Sequence, residues 1–114
     1  GDDEVAAAVE PFGKNGVADG LLIARGSELM FVTAPEENAV KVRDLAEGAG
    51  GLPRTVVQDE RLRWPDTLTQ GPDGVIYVTT SHIQDSATFK PGAPTALVTQ
   101  LWRLRAETTK DDRK

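Results

Sequence analysis

The sequence predicts an all-β chain built from two consecutive, related, four-stranded antiparallel units of the β-propeller kind, led by a short helix. Three observations carry this. Short apolar runs of four or five residues recur between turn signals, as a chain of short strands requires. Eleven glycines and seven prolines in 114 residues supply many turns. One pattern occurs twice: Ala18-Asp19-Gly20-Leu21 matches Pro65-Asp66-Thr67-Leu68, and Leu29-Met30-Phe31-Val32-Thr33 matches Val75-Ile76-Tyr77-Val78-Thr79, at offsets of 47 and 46 residues. A period of about 40–50 residues made of short strands is that of propeller blades, of which about 4–8 close a ring. Two blades cannot close alone, so the expected partners include missing blades or further copies of the chain.

Taken in order, Asp3 to Val9 reads as a helix. Asp2 or Asp3 can cap it, three alanines favour it, and Val5 and Val9 share a face. Pro11 and Gly13-Lys14-Asn15-Gly16 end it, and residues 1–17 are expected to hold this helix and a strand of a preceding blade. The first complete unit spans 18–63. Leu21-Leu22-Ile23-Ala24 and Leu29-Met30-Phe31-Val32 flank the turn Arg25-Gly26-Ser27-Glu28. Both runs are apolar on both faces, the signature of strands covered on each side. Val40 and Val42 alternate with Lys41 and Arg43, which predicts a strand nearer the outside. Thr55 to Gln58 predicts an outer strand, and Asn38 a left-handed turn residue.

The second unit spans 64–105. Asp66 to Thr69 and Val75 to Thr79 flank a tight turn at Asp73-Gly74, the latter again apolar on both faces. A polar loop from Ser81 to Pro94 leads to a last strand, Ala96 to Leu104, and residues 106–114 are expected to form a disordered tail.

Composition narrows function. A net charge of −5 argues against nucleic acid, which needs clustered Lys and Arg. With no Cys and a single His, thiol chemistry, thiolate zinc and multi-His metal sites are excluded within the chain. No run approaches the roughly 20 apolar residues of a membrane span, so no membrane partner is expected. Gly13-Lys14-Asn15-Gly16 lacks the βαβ setting of a phosphate loop, and Ser81 lacks a nucleophile elbow.

The strongest candidates are Asp19 and Asp66. Each opens the first strand of its unit, and such strands line a propeller's central channel. Two converging carboxylates are tolerated when a cation, a proton or an amine lies between them. Equally, each aspartate can cap its strand through local backbone amides. Trp64 can wall the channel or pack between blades, and His82 lies just past a strand, where it can touch a ligand or sit in a surface loop.

Val57-Gln58-Asp59-Glu60-Arg61-Leu62-Arg63-Trp64-Pro65-Asp66-Thr67 resembles the most specific stretch of the major royal jelly and yellow protein family, which includes bacterial members labelled as related to dopachrome tautomerase. Gly13 to Leu21, Glu37-Asn38-Ala39-Val40, Ile76 to Ile83 and Leu101-Trp102-Arg103-Leu104 resemble further family motifs, so that the likeness covers nearly all of 3–105. The family's usual Asn is missing from Thr80-Ser81-His82-Ile83. The resemblance implies a six-bladed propeller whose last two blades this chain supplies, secreted or periplasmic in its parent form. It implies a small molecule, such as an aromatic amine, bound at the channel by Asp19, Asp66, Trp64 and His82.

Asp19-Gly20 and Asp66 also resemble the metal-ligand positions of gluconolactonase-like propellers. That implies calcium held by Asp19 and Asp66, in a hydrolase or isomerase with Asp66 as general base. Calcium wants about 6–8 oxygens, so further ligands would have to come from elsewhere. A third expectation is a self-associating structural module that buries an exposed apolar blade face. No catalytic activity is expected of the two blades by themselves.

Overall fold

The computed structural model describes residues 1–94 and 97–105. The chain opens with helix α1, Asp2–Ala8, and continues as seven strands: β1 Leu21–Ile23, β2 Leu29–Ala34, β3 Ala39–Asp44, β4 Arg54–Gln58, β5 Pro65–Gln70, β6 Ile76–Thr80 and β7 Gln100–Leu104. They form two antiparallel sheets, one of four strands in the order β1-β2-β3-β4 and one of three in the order β5-β6-β7. Each sheet is a meander in which neighbours in sequence pair in space.

The registers make the two units equivalent residue by residue. Leu21, Leu22 and Ile23 face Val32, Phe31 and Met30, while Leu68, Thr69 and Gln70 face Val78, Tyr77 and Ile76. One step earlier Gly20 bonds across to Thr33, and Thr67 is paired with Thr79. Asp19 and Asp66 therefore occupy matching positions, as the offsets of 47 and 46 require.

The core lies between the sheets. Phe31, Val40 and Val42 of the first meet Leu68, Ile76 and Val78 of the second, with Leu62 from the connection. Full burial of an aliphatic or aromatic side chain of this size contributes about 1.5–3 kcal/mol, and Val40 and Val78 are 0% exposed. The sheets are also tied at the two ends of β1. Trp64 before β5 donates to Asp19 before β1, and in the far turns the Arg25 amide donates to the Gln70 side chain at 2.8 Å.

Several expectations change. The second sheet has three strands among the described residues, not four. Residues 1–17 hold α1 but no strand, and α1 is exposed throughout, capped at Gly1 by neither Asp2 nor Asp3. β1 is not covered on both faces: Leu21 and Ile23 are exposed while Leu22 turns inward. β6 alternates, with Ile76, Val78 and Thr80 buried and Tyr77 and Thr79 half-exposed, because only one face of its sheet meets the other sheet.

β3, expected nearer the outside, lies third in its sheet, between β2 and the edge strand β4. Its Arg43 is 2% exposed, since residues 12–15 and the loop at Gly48-Ala49 fold over it. The expected outer strand β4 does lie at a sheet edge. Asn38 is left-handed at φ 51°, in keeping with its expected turn role. The last strand begins at Gln100; Ala96 and the tail 106–114 lie outside the described residues.

Candidate functional site

The starts of β1 and β5 meet. Gly20 lies so close to the backbone of Asp66 and Thr67 that a Cβ on it would overlap the Asp66 carbonyl oxygen. Only glycine permits this approach, which brings the segments bearing Asp19 and Asp66 side by side.

The two aspartates nevertheless differ in their bonding. Asp66 is the extra residue of a β-bulge, since the pairing steps from Pro65–Thr80 directly to Thr67–Thr79. A bulge re-aims a side chain, and here the Thr79 hydroxyl donates to the Asp66 carboxylate. In the first unit the matching hydroxyl, Thr33, instead accepts from the Gly20 amide at 2.8 Å. Asp19 is thereby left to the neighbouring unit: its carboxylate accepts from the Trp64 indole at 3.0 Å. Asp19 is exposed and Asp66 half-buried.

Trp64 is half-buried and its backbone is left-handed, at φ 58°. A bulky residue there costs on the order of 1–3 kcal/mol. Its own carbonyl accepts from Ser81 N–H at 3.1 Å and the Arg63 carbonyl accepts from His82 N–H at 3.0 Å, which clamp the bend. The ring lies 6.1 Å from that of Phe89, inclined by 34°, and Phe89 is exposed. An open surface thus carries one carboxylate and two tilted aromatic rings.

His82, also left-handed at φ 54°, is held away from this arrangement by its own partners. One ring nitrogen is 2.9 Å from Gln100 Oε1, the other 3.5 Å from Asp85. Asp85 accepts two bonds from the Arg63 guanidinium, at 3.0 and 2.7 Å, and one from Lys90 at 2.6 Å. The Arg63 bonds, and then that of Lys90, hold the Asp85 carboxyl well below the usual carboxylate range, and Asp85 in turn raises Arg63. Gln100, His82, Asp85, Arg63 and Lys90 form one braced polar cluster.

Asp19 and Asp66 do not by themselves complete a calcium site. Among the described residues no group of three or more acidic or His side chains is arranged to hold a metal ion. Asp19 and Asp66 supply at most four oxygens, one already bonded to Trp64 and one to Thr79, against the 6–8 that calcium takes.

Thr79, Thr33 and Phe89 escape a search for site residues by chemistry, because a hydroxyl and a phenyl ring carry no motif. The two threonines did stand at matching places in the repeat, which is the one signal that marks them. Among the described residues no helix is long and apolar enough to cross a membrane. Comparison of the chain with protein-family models, curated proteins and solved structures found no match.

Proposed function

We propose that the chain is a pair of adjacent propeller blades of the royal jelly and yellow type, and that it binds a cationic aromatic small molecule where β1 and β5 begin. The observation that carries this reading is the Asp19 carboxylate bonded to the Trp64 indole, with Trp64 tilted against Phe89. An ammonium is attracted both to a carboxylate and to the face of an aromatic ring within about 6 Å, and an aromatic body adds stacking surface. The matched registers of the two sheets support the blade reading, and the resemblance supports both the ligand class and export of the parent protein. Asp66, held by Thr79, would act as a second acidic contact, and remaining blades would complete the binding surface.

The test is titration with phenylethylamine in the presence of a chelator, followed by the indole N–H resonance of Trp64. A saturable shift that Asp19→Asn weakens at least about tenfold supports the reading. A Trp64 resonance that stays fixed, or a shift seen only when calcium is added, overturns it.

A further inference from the structure

We infer that Asn15-Gly16 is a self-modifying site: the Asn15 side-chain amide is lost as ammonia, and the carboxylate left in its place becomes a counter-ion for the buried Arg43. This does not depend on the amine-binding reading, since it concerns the segment that folds over β3.

Arg43 is a buried cation held only by neutral groups. It is 2% exposed, and among the described residues no carboxylate forms an ion pair with it. Its partners are the carbonyls of Phe12, Gly48 and Ala49 and, at 3.2 Å, the side-chain oxygen of Asn15. Its Nε is buried without an acceptor. A buried charge is costly unless it is paired. A carboxylate at position 15 would supply a full opposite charge where the amide now supplies only a dipole.

The residue after Asn15 makes the exchange possible. In an Asn-Gly step the glycine nitrogen can reach the Asn Cγ and close a cyclic imide, because no Cβ screens the approach. Gly16 is exposed and left-handed at φ 76°, with open space around its Cα. Among the described residues its amide donates to no acceptor. As the bond from this nitrogen to Cγ forms, its proton passes to water, and Nδ2 takes up a proton and leaves as ammonia. Water then adds at Cγ, the bond from Cγ to the Gly16 nitrogen breaks, and that nitrogen regains its proton. One water enters, one ammonia leaves, and the peptide link is unchanged. Arg43 favours both additions, since its guanidinium donates to the oxygen on Cγ, where negative charge develops. Water addition at the other imide carbonyl, that of the Asn15 backbone, would give isoaspartate. Among the described residues that carbonyl accepts no hydrogen bond, so the fold directs the product to aspartate. Asn38, the chain's other asparagine, is followed by alanine and serves as an internal control.

The experiment incubates the full chain in mildly alkaline buffer, folded or in urea, and separates the products by anion exchange. Fragmentation of the tryptic peptides then locates the change and distinguishes aspartate from isoaspartate. A more acidic form altered at position 15 and not at Asn38 is expected. Its ratio of aspartate to isoaspartate should be at least about tenfold higher from the folded chain than from urea. Asn15→Gln keeps an acceptor for Arg43 but lengthens the ring that must close, and should yield no such form. Asn15→Asp carries the product from the start. At neutral pH it should raise the denaturation midpoint and slow amide exchange at Phe12 and Gly13 at least about threefold. A folded chain that keeps its amide while the chain in urea converts overturns the proposal. So does a folded-state product that is mainly isoaspartate, or an equal acidic form from Asn15→Gln. A midpoint of Asn15→Asp no higher than that of the unaltered chain overturns the counter-ion role, and the proposal with it.

Discussion

Gly20 lies against the carbonyl of Asp66 with no room for a Cβ between them. This contact joins the first strands of the two sheets at the point where the candidate site is built. Two bonds flank it, from the Gly20 amide to the Thr33 hydroxyl and from the Trp64 indole to Asp19.

Gly20→Ala should therefore act on the pairing of the sheets and not on β1 alone. The added methyl meets backbone, which cannot swing aside as a flexible side chain would. Overpacking of this kind costs about 1–3 kcal/mol. Chemical denaturation should show a lowered midpoint at unchanged slope, and the Trp64 indole N–H resonance should move as its bond to Asp19 lengthens. A variant of unaltered stability would mean that the two starts are not in contact in solution.

The matched threonines give a second expectation, because equivalent places carry opposite roles. Thr33 is 0% exposed and its hydroxyl satisfies the Gly20 amide. Thr33→Val keeps the shape but leaves that amide without an acceptor, at a cost of about 1–3 kcal/mol. Thr79 donates to a half-buried carboxylate that water can reach instead, so Thr79→Val should cost about 0.5–1.5 kcal/mol. Measured stabilities in the reverse order would contradict this assignment of donors and acceptors.

These particulars show what the sequence could and could not convey. The paired runs and the Asp73-Gly74 turn mark the hairpins, since strand patterning and turn chemistry are local. The match of Asp19 with Asp66 holds in three dimensions because a repeated register follows from a repeated pattern. What could not be read is which neighbour each aspartate bonds. That depends on one bulge at Asp66 and on the close approach of two sheets. Burial of Arg43 was hidden for a similar reason. Alternation of Val with Lys and Arg describes a strand with one wet face, and the N-terminal segment that covers that face comes from about thirty residues upstream. Four strands in the second unit were an extrapolation from the first, and among the described residues its sheet has three.

Arg43 is the clasp of that segment. It donates to Asn15 Oδ1 at 3.2 Å, to the carbonyl of Phe12, and to the carbonyls of Gly48 and Ala49 at 3.1 and 3.4 Å. The Phe12 ring also lies 5.3 Å from its guanidinium. A lysine has one compact ammonium and cannot reach this spread of acceptors. Arg43→Lys should cost about 1.5–3 kcal/mol, the range for hydrogen bonds made by a charged group. It should also speed tryptic cleavage after Lys14, which residues 12–15 now protect by docking. Stability lost without faster cleavage would place the defect in the sheet and not in the clasp.

The Asp85 cluster should set part of the acid sensitivity. Arg63 and Lys90 lower the carboxyl's folded-state value well below that of the unfolded chain, which is near 4. A group with a depressed folded value contributes stability that is fully present above the unfolded value. That contribution fades as pH falls from about 4 toward the folded value, because the unfolded chain takes up the proton first. Stability should thus decline over this window, and Asp85→Asn should flatten the decline while lowering stability at neutral pH. Salt should reproduce part of the effect of Asp85→Asn at neutral pH, since Asp85 and its partners are partly exposed and therefore screened. An acid limb identical in Asp85→Asn and the unaltered chain would assign the sensitivity to other carboxylates.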